Sequence, residues 1–310
     1  MGAAVRVNGL RKQYGDVVAV DDVSFEVGAG EIVGLLGPNG SGKTTTVECV
    51  QGLRRADRGE IDIFGSDPRR DAPRVRRLVG SQLQDSALPD RIKVWEALRL
   101  FSVLSPQGPP WERLLDDWGL GPQRNTAFGD LSGGQRQRLF VALALVNEPK
   151  VVFLDEMTTG LDPAARRVAW DLVAAVRERG TAVVLVTHFM DEAARLCDRI
   201  MVLSAGRVVA TGTPAELVAA RTHGSIVRFT AGGPDGLDYL RGVPGVARLS
   251  RTGDQVEVAG TGPLLVRVAH ALAVHHEEPA DLRVELPSLE DAYLALTGGA
   301  APAPRRAGKE

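Results

Sequence analysis

The stretch that decides the fold of this chain is Gly37-Pro38-Asn39-Gly40-Ser41-Gly42-Lys43-Thr44. It follows the apolar run Ile32 to Leu36 and matches the pattern G-x-x-x-x-G-K-[ST], which occurs where a buried strand turns into a helix. In such a loop the glycines let backbone N–H groups and the helix N-terminus point at phosphates, and Lys43 adds a positive charge. Thr44 offers a hydroxyl to Mg²⁺, and Thr45 extends the cradle. The pattern predicts a nucleotide-binding loop.

A second stretch, Val151-Val152-Phe153-Leu154-Asp155-Glu156, ends an apolar run in two acids. Four consecutive apolar residues indicate a strand buried on both faces. Asp155 is placed to bind Mg²⁺, and Glu156 can polarise the water that attacks the γ-phosphate. An acidic turn after a core strand is the alternative interpretation. The phosphate loop in the same chain favours the catalytic one.

A third stretch, Leu131-Ser132-Gly133-Gly134-Gln135, stands at the start of a predicted helix, since apolar residues recur at helical spacing from Leu139 to Val146. A helix N-terminus with small residues can approach a phosphate closely and presents free N–H groups and a positive dipole end. The chain therefore carries a second predicted cradle for phosphate.

Together these stretches resemble the ATP-binding cassette (ABC) family over nearly all of residues 4 to 220. The resemblance implies an α/β fold, namely a P-loop NTPase of ABC type with a mixed sheet core. It also implies a nucleotide-binding domain over residues 1–222, with a helical insertion at about 88–130. The expected activity is hydrolysis of ATP with Mg²⁺, coupled to transport.

The resemblance also assigns roles to single residues. Tyr14 matches the aromatic that stacks on adenine, and Gln84 matches the glutamine that touches Mg²⁺ and the attacking water. His188, after the apolar run Val183 to Thr187, matches the histidine that senses the γ-phosphate. Taken alone, Tyr14 would more often be a half-buried strand aromatic and His188 a strand-end residue. The order of the motifs along the chain favours the functional interpretation.

In the family's pattern, the N-terminal cradle at Ser132 to Gln135 closes over ATP held by another copy, which implies a homodimer with two equivalent sites. The loop Thr159-Gly160-Leu161-Asp162 contacts the dimer partner, and Asp162 is counted among the nucleotide-site residues. One departure is Met157, which stands where the family commonly has proline. We expect it to alter loop stiffness more than chemistry.

Composition narrows the class of partner. The chain has 310 residues, a net charge of −2 and two cysteines. A slightly acidic balance argues against a nucleic-acid partner, and two cysteines without a C-x-x-C pair indicate reduced thiols. No apolar run approaches the length of a membrane span. The resemblance therefore implies a peripheral subunit on the cytoplasmic face of the cell membrane, attached to a separately encoded transmembrane permease.

Two helical segments carry further expectations. Trp95, Trp111 and Trp118 fall in the insertion, where they either face the permease or fill the insertion's own core. The segment Pro163 to Arg179 is predicted to be an amphipathic helix, whose inward residues are Val168, Leu172, Ala175 and Val176.

After about Arg221 to Gly224 the composition changes, and we expect a small α+β domain over residues 225–297 with a regulatory or dimerisation role. It contains predicted strands at Ile226 to Phe229 and Gln255 to Val258 and a helix near Leu264 to Val274. The run Pro287 to Gly298 resembles the ATPase subunits of daunorubicin-resistance exporters. Residues 298–310 are expected to form a disordered tail.

Other functions stay open at this point. A ribosome-associated cassette ATPase would normally carry two cassettes, whereas this sequence shows one. A DNA-repair ATPase would have a long coiled coil between Gln84 and Leu131, but that segment is short and lacks sustained heptads. A purely regulatory nucleotide binder is disfavoured by an intact Glu156. An importer is harder to separate from an exporter, because the permease sets direction. A hydrophobic drug, a lipid, another hydrophobic compound and a glycan all remain candidate substrates.

Overall fold

The computed structural model describes residues 2–82, 87–105, 108–221, 224–231 and 237–297. These residues form two compact units that divide between Pro214 and Ala215. The boundary expected from the sequence is at 222–225, eight or more residues later. The helix Pro214–Arg221, which was expected to close the first unit, therefore falls almost wholly in the second. The predicted tail at 298–310 lies outside the described residues.

The first unit alternates strands and helices, as expected of an α/β fold. Its described elements in chain order are β1 Ala3–Tyr14, β2 Val17–Gly28, β3 Ile32–Leu36, α1 Lys43–Val50, β4 Arg58–Ile63, α2 Ala72–Leu78, β5 Val79–Gln82, α3 Val94–Leu104, α4 Trp111–Asp117, α5 Gly133–Ala144, β6 Val151–Asp155, α6 Pro163–Glu178, β7 Ala182–Val186, α7 Met190–Leu196, β8 Arg199–Ser204 and β9 Arg207–Gly212. Short 3₁₀ helices occupy Gly121–Gln123 and Phe128–Asp130.

The larger sheet has the strand order β5-β6-β7-β3-β8-β9 within the described residues. From β5 to β8 the neighbours are parallel, and β9 returns antiparallel to β8. Every residue of β3, β6 and β7 is buried, as their apolar sequences predict. Because the carboxyl ends of parallel strands meet at one edge, the loops after these three strands converge there.

A second, antiparallel sheet with the order β2-β1-β4 completes the core of this unit. One cluster of buried apolar side chains joins this sheet, α1 and the central strands of the larger sheet, and it includes Leu10, Ile63, Val47 and Phe153. The mixed sheet of the predicted fold is therefore confirmed. The phosphate loop lies between β3 and α1.

The predicted inward face of α6 is wrong in part. Val168 is 48% exposed, whereas Trp170 and Val173 are buried. The reason is a polar anchor, because the Trp170 indole Nε1 donates to the buried carboxylate of Glu192 on α7. The stripe that packs inward runs through Ala169, Trp170, Val173 and Val176, and the Trp170 N–H can be buried there because Glu192 accepts from it.

The helical insertion contains α3, α4 and the two 3₁₀ helices. Trp118 is buried and belongs to the insertion's own core. Trp95 and Trp111 are only half-buried, their ring centroids lie 6.2 Å apart, and the Arg124 guanidinium stands 5.0 Å from the Trp111 ring. Trp118 therefore fills the insertion's own core, whereas Trp95 and Trp111 stay partly exposed.

The second unit is a small α+β structure with its own core. Its sheet has the strand order Val246–Thr252 (β11), Gln255–Gly260 (β12), Ser225–Thr230 (β10) and Arg283–Glu285 (β13), all antiparallel. Val227, Phe229, Val256 and Leu272 are among the buried residues of this core. The described elements are α8 Pro214–Arg221, β10 Ser225–Thr230, a 3₁₀ helix at Asp238–Gly242, β11 Val246–Thr252, β12 Gln255–Gly260, α9 Leu264–Val274, β13 Arg283–Glu285 and α10 Leu289–Thr297. Among the described helices of the chain, none has both the length and the apolar character needed to cross a membrane.

Candidate nucleotide site

The phosphate loop is built around backbone that only glycine can supply. Gly42 precedes α1 with a φ of 98°, and a Cβ there would lie 2.3 Å from the Ala19 carbonyl oxygen. The first hydrogen bond of the helix runs from the Thr46 N–H to the Gly42 oxygen, at 2.8 Å. The N–H groups of Lys43, Thr44 and Thr45 therefore precede the helical ladder and can receive an anion.

The polar groups inside the loop are held ready for a negatively charged ligand. The Lys43 ammonium donates to the carbonyl oxygens of Gly37 and Pro38, at 2.8 and 3.0 Å. Burial lowers the pKa of Lys43, while the charges of Glu156 and Asp155 raise it. The buried Ser41 hydroxyl has no hydrogen-bond partner among the described residues. An ammonium facing two acids with an unpaired hydroxyl beside it fits a phosphate chain with its metal ion.

Two hairpins hold the loop in place. The Gly206 N–H, in the turn between β8 and β9, donates to the Ser41 carbonyl oxygen at 3.1 Å. The carbonyl group of Ala19 in β2 lies beside both Gly206 and Gly42. Gly40 has open space around its Cβ position, and Asn39 is exposed. The tip of the loop is thus open while its base is packed.

Tyr14 ends β1 and pairs with Val17 at the start of β2, the strand that touches the phosphate loop. Its side chain is 40% exposed. The Lys12 ammonium and the Arg54 guanidinium lie 5.4 and 5.3 Å from its ring centroid. An exposed aromatic ring near the phosphate loop is suited to stack on a nucleotide base.

The two acids after β6 occupy different environments. Asp155 is the last residue of the strand and only 5% exposed. Glu156 has a φ of 51°, and its N–H donates to the Val186 oxygen of β7 at 2.8 Å. Its carboxylate oxygen Oε1 lies 3.3 Å from His188 Nδ1. The structure therefore places Glu156 and His188 side by side, as expected for neighbouring strands whose ends share an edge.

Gln84 lies outside the described residues. Gln82, two residues earlier, ends β5 and is buried, and its amide Nε2 donates to the Asp155 carbonyl oxygen at 3.3 Å. The sequence interpretation did not single out Gln82. A sequence pattern could have identified Gln82 only as a side-chain amide at the last position of β5, the strand that pairs with β6.

The stretch Leu131 to Gln135, called the signature segment from here on, forms the capped start of a helix. Ser132 precedes α5; its hydroxyl accepts from the Gln135 N–H at 3.3 Å, and the Gln135 side-chain oxygen accepts from the Ser132 N–H at 2.9 Å. Each side chain thus accepts from the backbone N–H of the other residue, which is a capping box. Gly133 has only the Gly160 oxygen within 4 Å of its Cβ position, at 3.7 Å, so a ligand can come close to its backbone.

Asp162 caps the N-terminus of α6. Its Oδ1 accepts from the N–H groups of Ala164 and Ala165, both at 2.9 Å. Its loop and the signature segment share an open cavity of about 370 Å³. The described residues that line this cavity come from the signature segment, Arg138 of α5, the Gly160–Asp162 loop and α6, and none comes from the phosphate loop. The chain thus carries two separate candidate surfaces for phosphate.

Comparison with known proteins is consistent with this geometry. A family model described as ABC transporter matches residues 20–159. The doxorubicin resistance ATP-binding protein DrrA of Mycobacterium tuberculosis is 38% identical over 95% of this chain and 93% of its own length. The Nod factor export ATP-binding protein I of Cupriavidus pinatubonensis is 36% identical over 96% of this chain and 91% of its own.

Solved structures give the same result for the first unit. CbiO1 from Clostridium perfringens, part of an ABC transporter complex, superposes with a TM-score of 0.64 at 27% identity, over 71% of this chain and 92% of its own. A dimeric bacterial ABC transporter cassette superposes with a TM-score of 0.62 at 26% identity, over 67% of this chain and 98% of its own. The chain therefore belongs to the ABC transporter family, as one of its ATP-binding and ATP-hydrolysing proteins.

Proposed function

We propose that this chain energises an exporter by binding ATP with Mg²⁺ as a homodimer and hydrolysing it, while a separately encoded permease carries the substrate across the membrane. The observation that carries the proposal is the contact between Glu156 and His188 at the sheet edge that also holds the phosphate loop. An acid and a histidine beside a phosphate cradle form the arrangement that activates water for attack on phosphorus.

The chain's own groups divide the work. The N–H groups at the start of α1 and the Lys43 ammonium hold the phosphates, and Tyr14 stacks on the base. The Thr44 hydroxyl and the Asp155 carboxylate would hold Mg²⁺, with Gln84 as a third ligand by family resemblance. When bound, Mg²⁺ neutralises charge on the phosphates.

Glu156 orients the attacking water and accepts its proton. His188, which contacts the same carboxylate, senses the terminal phosphate and keeps Glu156 in place. Because ordered phosphates and an oriented water supply most of the rate in phosphoryl transfer, correct positioning of these side chains is the main requirement.

The second surface supports a dimer. The cavity beside Ser132 to Gln135 and Asp162 receives no residue from the phosphate loop of the same chain. A head-to-tail pair would bring this cavity over the nucleotide of the other copy, and a two-fold axis makes the two sites equivalent. The dimeric cassette with the same fold supports this arrangement.

The permease and the substrate class rest on the relatives and on the helical insertion. The relatives are described as drug resistance and Nod factor export proteins, which supports efflux of a drug, a lipid or another hydrophobic compound. Half-buried Trp95 and Trp111 with Arg124 provide an aromatic and basic surface for the permease. Attached to such a permease, the chain would act on the cytoplasmic face of the membrane. We expect the tagged chain to co-purify with membranes, and recovery with ribosomes would favour a non-transport ATPase instead.

Replacing Glu156 by Gln tests the proposed reaction. The amide keeps the size of the side chain but cannot accept a proton, so we expect hydrolysis to slow by about 10²–10⁴ while ATP is still bound. ATP-dependent dimerisation, measured by size-exclusion chromatography, should increase because the closed state persists. Glu178→Gln, at an exposed acid at the end of α6, is the matched control and should behave as wild type. A Glu156→Gln protein that stays monomeric and hydrolyses ATP at the wild-type rate would exclude Glu156 as the base.

A further inference from the structure

Glu192 is a buried acid that the reaction above does not use. It lies in the first turn of α7 and is 0% exposed. A carboxyl group removed from water is unfavourable unless it forms hydrogen bonds. Its presence between α6 and α7 therefore calls for a specific set of partners.

Those partners come from two other segments. Glu192 Oε1 accepts from the Thr158 hydroxyl at 2.8 Å and from the Trp170 indole Nε1 at 3.0 Å. Thr158 is itself fully buried and lies two residues after Glu156, at the start of the loop that ends at Asp162. One carboxyl oxygen thus ties α7 to the loop after the catalytic acid and to α6.

A row of ring contacts joins the same segments near His188. The ring centroids of Phe189 and His188 lie 4.2 Å apart, and the Arg166 guanidinium of α6 lies 4.2 Å from the Phe189 ring centroid. Arg166 also pairs with Asp191 at 3.3 Å. The Phe189 N–H donates to the Thr187 hydroxyl at 3.0 Å. His188 is therefore attached to the start of α6 through its neighbours on the same loop.

The electrostatics of Glu192 favour a hydrogen-bonding role over an ionic one. Burial raises the pKa of its carboxyl group, while the Thr158 hydroxyl, the Trp170 indole N–H and the charge of Arg166 act to lower it. Its second oxygen, Oε2, is buried and has no hydrogen-bond partner among the described residues. A neutral side chain of the same shape can therefore replace it.

We propose that Glu192 is a positioning residue that fastens the loop after Glu156 to the loop carrying His188, so that the catalytic pair and the dimer-contacting loop move as one piece. Contiguous packed and hydrogen-bonded side chains are the physical means by which two such loops are coupled. The inference rests on the proposed roles of Glu156 and His188. It adds a group whose role is to hold Glu156 and His188 in position.

The expected effect separates turnover from binding. Without the Oε1 acceptor, the Thr158 hydroxyl and the Trp170 indole N–H are left buried and unpaired, and the loop after Glu156 shifts. We expect Glu192→Leu to lower kcat for ATP hydrolysis about tenfold with KM within about twofold of wild type, because neither the phosphate loop nor Tyr14 contacts Glu192. Glu192→Gln, which keeps the acceptor, should restore kcat to near the wild-type value.

Variants of the two donors test the same link with smaller perturbations. Thr158→Val keeps the shape and removes the hydroxyl, and Trp170→Phe removes the indole N–H. Each should lower kcat several-fold at unchanged KM. Adding Thr158→Val to Glu192→Leu should cause little further loss, since both substitutions remove the same hydrogen bond between Thr158 and Glu192. Val75→Ala, in the core of the first unit, controls for general loss of stability and should leave kcat unchanged.

Steady-state kinetics with the full-length chain decide the matter. Wild-type kcat in Glu192→Leu, or a loss in Glu192→Gln as large as in Glu192→Leu, overturns the proposal. If Glu192→Leu does not fold, Thr158→Val and Trp170→Phe take its place, and wild-type kcat in both overturns it equally. Glu156→Gln measured beside them separates the two ideas: normal turnover there contradicts the proposed function, whereas lost turnover there with normal Glu192→Leu contradicts only this inference.

Discussion

At the residue scale, Glu156 shows how an unfavourable backbone conformation is tied to chemistry. Its φ of 51° lies in the left-handed region, which costs on the order of 1–3 kcal/mol for a residue with a side chain. The hydrogen bond from its N–H to Val186 of β7 holds that conformation. As a result the carboxylate turns toward His188 instead of continuing the alternation of β6. The strain is stored where the reaction is proposed to occur.

Tyr14 carries a second prediction at this scale. Its exposed ring has two cations near it, Lys12 and Arg54, and Arg54 is held by Glu48 of α1. If adenine stacks on the ring, Tyr14→Ala should weaken nucleotide binding several-fold, because an aromatic pair contributes roughly 0.5–1.5 kcal/mol beyond area burial. Isothermal titration with a slowly hydrolysed ATP analogue measures this.

Tyr14→Trp is the matched control, since it keeps a ring face and should retain the affinity. Equal affinities in the wild type, Tyr14→Ala and Tyr14→Trp would place the base elsewhere. The two cations by themselves would then account for the exposed position of the ring.

At the scale of elements, the starts of α5 and α6 are both capped by side chains from the motifs. The side chains of Ser132 and Gln135 together cap the N-terminus of α5, and the side chain of Asp162 caps the N-terminus of α6. These residues therefore have a structural role in addition to the roles that the family resemblance suggests. Their side chains fix the two helix starts that line the cavity proposed to receive the partner's nucleotide.

The cap of α6 gives a measurable prediction. Asp162→Ala removes the acceptor for two N–H groups and should lower the free energy of unfolding by about 1 kcal/mol, whereas Asp162→Asn keeps an acceptor and should remain close to wild type. Urea unfolding followed by circular dichroism measures both. Equal stability of the Ala and Asn variants would mean that water replaces the cap without loss.

At the scale of the whole molecule, the two units have separate cores. The apolar cluster of the first unit ends at Leu203, and that of the second begins at Val227. All the nucleotide motifs lie before residue 189. We propose the second unit to be regulatory or dimer-stabilising, since none of these motifs lies in it.

Truncation after Pro214, where the first unit ends, tests this division. The fragment should stay soluble and bind Mg²⁺-ATP with near wild-type affinity, but it should dimerise less readily than the full chain. Fluorescent nucleotide binding and size-exclusion chromatography measure the two properties, and the same fragment with Lys43→Ala is the non-binding control. A folded fragment that fails to bind ATP would make the second unit part of the nucleotide site.

The predicted fold was confirmed because its signals are local. Apolar runs predicted β3, β6 and β7, and the α9 helix at Leu264–Val274 agrees with its expected range. The inward face of α6 was predicted in part wrongly. An apolar pattern assigns Val168 to the buried side, but the structure exposes Val168 and buries Trp170, whose indole N–H donates to Glu192 on α7. The place of α8 in the second unit likewise had no local signal.

The sequence by itself determined the phosphate loop, the acids after an apolar strand and the family, since each depends on residues adjacent in the chain. The tertiary structure alone decided which of them meet. Glu156 faces His188 because β6 and β7 are neighbours in the sheet, and Gln82 reaches Asp155 because β5 flanks β6. Glu192 reads as one more acid in a polar helix turn, and only the packing of α6 against α7 removes it from water. Strand order and helix packing depend on the burial of the whole chain, which no short pattern contains.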